Sequence, residues 1–197
     1  MAKGSKRKLQ DAAKDVFARL GYQSTHVSDI VSEAGVARGT FYLHYESKKE
    51  LFEAVVRDAI ATLRNSIDGV DVSLEAQTME SQLQDSIQRI LDTAVHNRAA
   101  AIILVREAPN AGMLNHVQAF YDSLLMYLEI SIRNGQQLGW LRTIPPTSAA
   151  LCVLGAVKQI LERLLKSDDN DEKAIHEMTI AGKALVDFTL HGIASAL

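Results

Sequence analysis

The chain has 197 residues, 47% of them apolar, with 11 glycines, three prolines and one cysteine. That length suits one large or two small domains with a substantial core, and the composition excludes collagen-like and Pro/Gly-rich disordered classes and any intramolecular disulfide. The net charge of −3 hides an asymmetry: residues 1–50 carry nine basic and six acidic side chains, leaving +3 at the front and −6 on the remaining 147 residues.

A basic head on an acidic body suits a polyanion partner, although a solvated charged tail at Lys3–Lys8 gives the same balance. Few stretches alternate with period two, and helix formers dominate, so the fold class is all-α. Lys6 to Leu20 reads as the first amphipathic helix, with Leu9, Ala12, Ala13, Val16, Phe17 and Leu20 on one stripe and Gly21 as its C-terminal stop.

Thr25 to Leu51 is the organising stretch. Val27 to Ala34 predicts a second, short helix with Val27, Ile30, Val31 and Ala34 inward. Gly35 supplies the positive φ of a tight turn, and Val36 fills the corner. Arg38 to His44 predicts a third helix, on which Phe41 and Tyr45, four apart, share the core face. This is a helix-turn-helix. Ser47 and Glu50 form a capping box that starts a long fourth helix, running through Leu51, Phe52, Val55, Val56, Ala59, Leu63 and Ile67 to about Gly69.

The remainder is also helical. A fifth helix covers about Leu74 to His96. Ala99 to Val105 predicts a short buried helix, broken by Pro109 and Gly112. Met113 to Leu138 is a long helix ending near Gly139. Pro145-Pro146 opens the next, capped by Thr147 or Ser148 and running to Lys166. After an acidic loop at Ser167–Asp171 the last helix spans about Glu172 to Ala194. The last two helices carry more apolar surface than one face hides, with glycines that permit close approach. They read as a two-fold interface between copies of the chain. Cys152, in the apolar run from Ala149 to Val157, reads as a small buried hydrophobe.

That run of nine residues is the longest, short of the ~20 a bilayer span needs. Asp11, Lys14, Asp15 and Arg19 interrupt any secretory core at the front. The expectation is a cytoplasmic protein with no membrane segment. Enzyme readings find little support: the six histidines lack metal-ligand spacing, no phosphate-binding glycine loop is present, and Asp168-Asp169-Asn170-Asp171 lacks the spacing of a calcium loop. No cofactor is expected.

The third helix carries the legible chemistry. Arg38 can fork onto guanine or hold a phosphate. Gly39 permits close backbone approach, and Thr40 offers a hydroxyl and a methyl. Tyr42 and His44 can donate to phosphate. Thr25 and Lys48, at the starts of the second and fourth helices, can do likewise.

The pattern Thr25, Val27, Ile30, Ala34-Gly35-Val36-Ala37-Arg38-Gly39-Thr40-Phe41-Tyr42, His44-Tyr45, Ser47-Lys48 and Leu51 resembles the N-terminal signature of the TetR family of transcriptional regulators, specifically over residues 9–55. One departure is Ala37, where the family often has serine. The resemblance implies about nine helices: a three-helix helix-turn-helix head linked by a long fourth helix to a C-terminal ligand-binding and dimerisation body. It divides the chain at residue 50, giving a DNA-binding domain (1–50) and a body (51–197). It implies a homodimer through the last two helices and a palindromic double-stranded DNA operator, with repression relieved by a small-molecule effector. By the same match Thr25, Arg38, Gly39, Thr40, Tyr42, His44 and Lys48 are the DNA-contacting positions.

For the effector, Arg106 and His116 could meet an anionic group, and Phe120, Tyr121 and Leu124 could pack an apolar body. The alternatives are plain core for the aromatics and a structural ion pair for Arg106-Glu107. Two other functions stay open at this stage: an all-helical small-molecule-binding or enzymatic protein with a vestigial head, and a DNA binder without a ligand.

Overall fold

Three aromatic rings pack together in the N-terminal core. Phe17 and Phe52 meet edge-on at 4.9 Å, and Tyr22 lies tilted against both, 5.7 Å from Phe17 and 4.5 Å from Phe52. Each fully buried Phe contributes about 1.5–3 kcal/mol by removal from water. The computed structural model describes residues 2–65, 76–165 and 172–193. The helices are α1 (Ala2–Leu20), α2 (Val27–Glu33), α3 (Arg38–Tyr42), α4 (Lys48–Arg64), α5 (Ala76–His96), α6 (Arg98–Ile102), α7 (Ala108–Asn110), α8 (Leu114–Gln137), α9 (Pro146–Leu165) and α10 (Glu172–Ile193). A π-helical segment, Ile103–Glu107, joins α6 to α7 without a break. Counting that run as one rod gives nine helical rods among the described residues, as expected, and no strand.

The chain divides into two compact units. The first comprises Met1–Thr62 and Asn97–Val117; the second comprises Leu63–His96 and Gln118–Leu197. In the first, α1 buries Leu9, Ala12, Ala13, Val16 and Phe17, and α4 buries Leu51, Phe52, Val55, Val56 and Ala59. Ala100, Ala101, Ile103, Leu104 and Ala108 supply the apolar face of the α6–α7 run, which packs on α1. Ser47 caps α4 as expected: its hydroxyl accepts the Glu50 N–H at 3.2 Å, while the Glu50 carboxylate reaches back to the Glu46 N–H at 2.7 Å. An exposed Arg19–Glu33 pair at 3.0 Å ties α1 to α2 and contributes at most about 1 kcal/mol.

In the second unit α10 packs on α5 and on α9. Ile132, Ala149 and Ala150 form a small buried cluster with Leu125, Leu128, Leu141 and Ile144 around it. Gly135 makes room for Leu141 there: a Cβ would lie 2.8 Å from Leu141 Cδ1, so the leucine side chain would have to shift. Its carbonyl accepts the N–H groups of Trp140 and Leu141, and Gln136 Nε2 donates to the Ile144 carbonyl at 2.7 Å.

Four expectations are corrected. Pro109 does not break its helix: it directly follows the π-helical segment, and the run continues through it to Asn110. The α9 helix begins at Pro146, so neither Thr147 nor Ser148 is its cap. The Thr147 hydroxyl instead donates to the Glu129 carboxylate. Leu20, the last residue of α1, is 45% exposed. Cys152 is exposed, not buried, because α9 turns that face outward in the single chain. The acidic loop at 167–171 and the end of the fourth helix near Gly69 lie outside the described residues.

Candidate nucleic-acid interface

The α2–turn–α3 unit is set by local chemistry. Asp29 accepts the His26 N–H at 2.7 Å and fixes the start of α2. Gly35, at φ +61°, takes the left-handed conformation. It lets Gly35 N–H bond Ser32 and Val36 N–H bond Val31. Ala37 is extended, and α3 starts at Arg38. Five residues make a helix too short to stand alone, so packing holds it. Phe41 is fully buried and Tyr45, in the following turn, is 3% exposed. Of the α3 side chains only Phe41 is buried; Arg38, Gly39 and Tyr42 are exposed, and Thr40 is half-buried.

The basic end of α1 lies beside this surface. Ser5 Oγ and His44 Nε2 share a hydrogen bond of 2.8 Å, and the Lys6 ammonium sits over the Tyr45 ring at 5.7 Å. Lys6, Arg7 and Lys8 are exposed. One face therefore combines a projecting short helix with cations on its flank. Such a face can put side chains on base edges while positive charge meets phosphates.

The structure thus brings Arg38, Gly39, Thr40 and Tyr42 together, with His44 anchored to Ser5 behind them. Thr25 and Lys48 are turned inward instead. Thr25 is 1% exposed, and its hydroxyl donates to the Gly21 carbonyl. Lys48 Nζ donates to the carbonyls of Tyr22 and Thr25, each at 2.7 Å, with Gln23 at 3.4 Å, and lies 4.5 Å from the Tyr22 ring centre. Burial pushes its pKa below the ordinary lysine value. Both side chains direct their donors into the 21–26 loop. Sequence reasoning missed Ser5, Lys6 and Leu43. Leu43 is 81% exposed, an apolar side chain on the same face. Its position off the Phe41/Tyr45 stripe was the signal for it.

The effector candidates fall in different units. Arg106, in the first, pairs with Glu107 at 2.8 Å and donates to the Ala18 carbonyl at 3.1 Å, the ion-pair alternative of the sequence reading. Phe120, buried, and Tyr121 and Leu124, half-buried, lie on the part of α8 in the second unit. The Phe120 and Tyr121 rings are 6.0 Å apart, and burial, reinforced by Glu162, pushes the Tyr121 phenol up. The side chain of His116 lies outside the described ones. The second unit also holds a groove of about 280 Å³, lined by Ile144, Ala149, Cys152, Val153, Leu185 and Phe188 among others. No metal-binding cluster occurs among the described residues, and no described helix is long and apolar enough to cross a membrane.

Residues 9–55 match the family described as bacterial regulatory proteins, tetR family. The uncharacterised HTH-type transcriptional regulator YdgC of Bacillus subtilis is 21% identical over 174 residues, covering 87% of this chain and 86% of its own. A TetR-like transcriptional regulator from Rhodococcus sp. RHA1 shares the fold with a TM-score of 0.74, at 21% identity, over 95% of this chain and 94% of its own. AibR, solved with isovaleryl coenzyme A and operator DNA, has a TM-score of 0.72 at 16% identity, over 94% of this chain and 98% of its own.

Proposed function

We propose, on the premise of the match of residues 9–55 to the bacterial regulatory proteins of the tetR family, that the chain is a homodimeric DNA-binding repressor that leaves a palindromic operator when a small molecule binds its body. One observation carries the DNA reading. Helix α3 gives Phe41 to the core and leaves Arg38, Gly39 and Tyr42 exposed, beside the cations of α1. In this reading residues 1–50 bind DNA and residues 51–197 bind ligand and partner. Arg38, Gly39, Thr40 and Tyr42 touch the duplex, with His44 and the newly identified Leu43 at the edge. Thr25 and Lys48 serve the contact by holding the loop that launches α2.

The homodimer reading draws on α9 and α10, where Leu151, Ile180 and Phe188 are more than half exposed. A two-fold pair of heads would enter successive major grooves about 34 Å apart. The effector reading draws on AibR, whose structure pairs an acyl coenzyme A with operator DNA. Phe120, Tyr121 and Leu124 are the retained candidates for a partly apolar effector. Arg106 is a weaker one, given the bonds it already makes. Release would be a population shift, the effector favouring a state whose heads no longer match the groove spacing.

A gel shift with the DNA flanking the protein's own gene, against random duplex and over a salt series, tests this. The expected result is a protected, roughly palindromic site whose affinity falls steeply with salt. Equal affinity for random duplex would defeat the autoregulatory operator reading. Mass spectrometry of the purified protein for a co-eluting small molecule addresses the effector.

A further inference from the structure

Both backbone polar groups of Tyr22, its N–H and its carbonyl, are held by side chains from distant parts of the chain. Its N–H donates to Glu107 Oε2 at 2.9 Å, and its carbonyl accepts from Lys48 Nζ at 2.7 Å. Glu107 closes the π-helical segment and is 9% exposed. Its other oxygen takes the Arg106 Nε–H at 2.8 Å, and Arg106 also donates to the Ala18 carbonyl in the last turn of α1. Gly21, at φ +80°, lets the carboxylate close in: a Cβ there would lie 3.2 Å from Glu107 Oε2.

The rest of the 21–26 loop is tied in the same way. The carbonyls of Gly21, Tyr22 and Thr25 accept from Thr25 and Lys48 side chains. The loop therefore has little freedom, and it delivers the chain into α2. Two features set Glu107 apart from a generic surface acid. A carboxylate withdrawn from water is costly unless its bonds are good. And the π-helical segment acts like one extra residue in the helix, so an uninterrupted α-helical path would rotate Glu107 by about 100° away from the loop.

We propose that Glu107 is a positioning residue for DNA recognition: with Lys48 it clamps the Tyr22 backbone and so fixes the loop that orients the helix-turn-helix. This rests on the DNA-binding reading above. It also makes the head dependent on residues 97–117, which lie far along the chain but in the same compact unit.

The test uses the full-length protein with two substitutions. Glu107→Ala removes the acceptor, and Glu107→Gln keeps an acceptor oxygen. Three quantities are measured: hydrogen exchange of the Tyr22 amide, affinity for a duplex from the DNA upstream of the protein's own gene (the upstream duplex), and affinity for random duplex. For Glu107→Ala the expected result is at least tenfold faster exchange at Tyr22 and roughly tenfold weaker binding to the upstream duplex. Random-duplex binding should be unchanged. Glu107→Gln should return both quantities to within about threefold of wild type. If Glu107→Ala exchanges faster yet binds the upstream duplex like wild type, the positioning role is refuted. It is equally refuted if affinity drops while the Tyr22 amide stays protected. Should Glu107→Ala fail to fold, Glu107→Asp, which draws the oxygen back by one methylene, takes its place with the same readouts. Wild type failing to prefer the upstream duplex would count against the operator reading instead, so the two failures are distinguishable.

Discussion

The Thr25 hydroxyl donates to the Gly21 carbonyl across 2.7 Å, four residues back, with Thr25 itself 1% exposed. Replacing Thr25 by Val preserves shape and leaves the Gly21 carbonyl without its partner, a loss of about 1–3 kcal/mol. Urea unfolding of Thr25→Val should show a lower midpoint with an unchanged m-value, and Thr25→Ser should recover most of it. A Thr25→Val protein as stable as wild type but weaker on DNA would place the hydroxyl on a phosphate instead.

Tyr42 is 52% exposed and its ring meets Phe41 edge-on at 5.2 Å. Its removal should therefore cost little stability, about 1 kcal/mol at most. On DNA the expectation differs: Tyr42→Ala should weaken upstream-duplex binding at least tenfold, about 1.4 kcal/mol. Tyr42→Phe, which keeps the ring, separates a hydroxyl bond to phosphate from packing against the sugar. A Tyr42→Ala protein that runs as a monomer on a sizing column would contradict the division between head and body.

Much of this head was readable from residues alone. The spacing of Phe41 and Tyr45, the glycine at 35 and the serine at 47 are local signals, and each acts over four residues or fewer. The bonds Lys48 makes were hidden for the opposite reason. Its position at a helix start suggested phosphate, but its partners are carbonyls 23 to 26 residues away, which no local pattern encodes. Glu107 is further removed, 85 residues from Tyr22, and it reaches the loop through a π-helical segment that leaves no sequence signature. Cys152 shows a third limit. Apolar surroundings in sequence predict burial, yet Cys152 is exposed in the single chain, as a face covered by a second copy, in the reading proposed above, would be.

Leu43 is 81% exposed beside Tyr42. With α3 in the major groove, as proposed above, an apolar side chain beside Tyr42 has one apolar target there, the thymine C5 methyl. Duplexes with single thymine-to-uracil replacements should therefore bind wild type more weakly at one position, while Leu43→Ala should be indifferent to that same replacement. Equal sensitivity of the two proteins would remove Leu43 from the reading surface.

Burial, with help from Glu162, holds the Tyr121 phenol above its ordinary value near 10. The unfolded chain then ionises first. The neutral phenol's contribution to stability is fully present below about pH 10 and is lost as pH climbs through the folded value. Urea unfolding of wild type and Tyr121→Phe should give a constant difference between about pH 7 and 9, with wild type losing ground above that. A difference that stays flat to about pH 11 would mean the phenol is hydrated.

Phe188 is 70% exposed, with Leu151 at 54% on the facing helix of the same unit, and Phe188 and Cys152 line one groove. An aromatic this exposed adds little to the fold of a single chain, so Phe188→Glu should still fold and unfold cooperatively, at a temperature lowered only by the lost contribution of the dimer and independent of protein concentration. Across an interface the same ring is a candidate anchor, and loss of a central anchor costs about 2 kcal/mol or more, about 30-fold. Sedimentation should therefore show Phe188→Glu as a folded monomer at concentrations where wild type is dimeric. Cys152 provides an independent readout: covered in the dimer, it should react slowly with a thiol reagent in wild type and rapidly in Phe188→Glu. Operator affinity should fall with the dimer, because two linked heads bind far more tightly than either alone. A Phe188→Glu protein that remains a dimer, with Cys152 reacting equally fast in both proteins, would move the interface off α9 and α10.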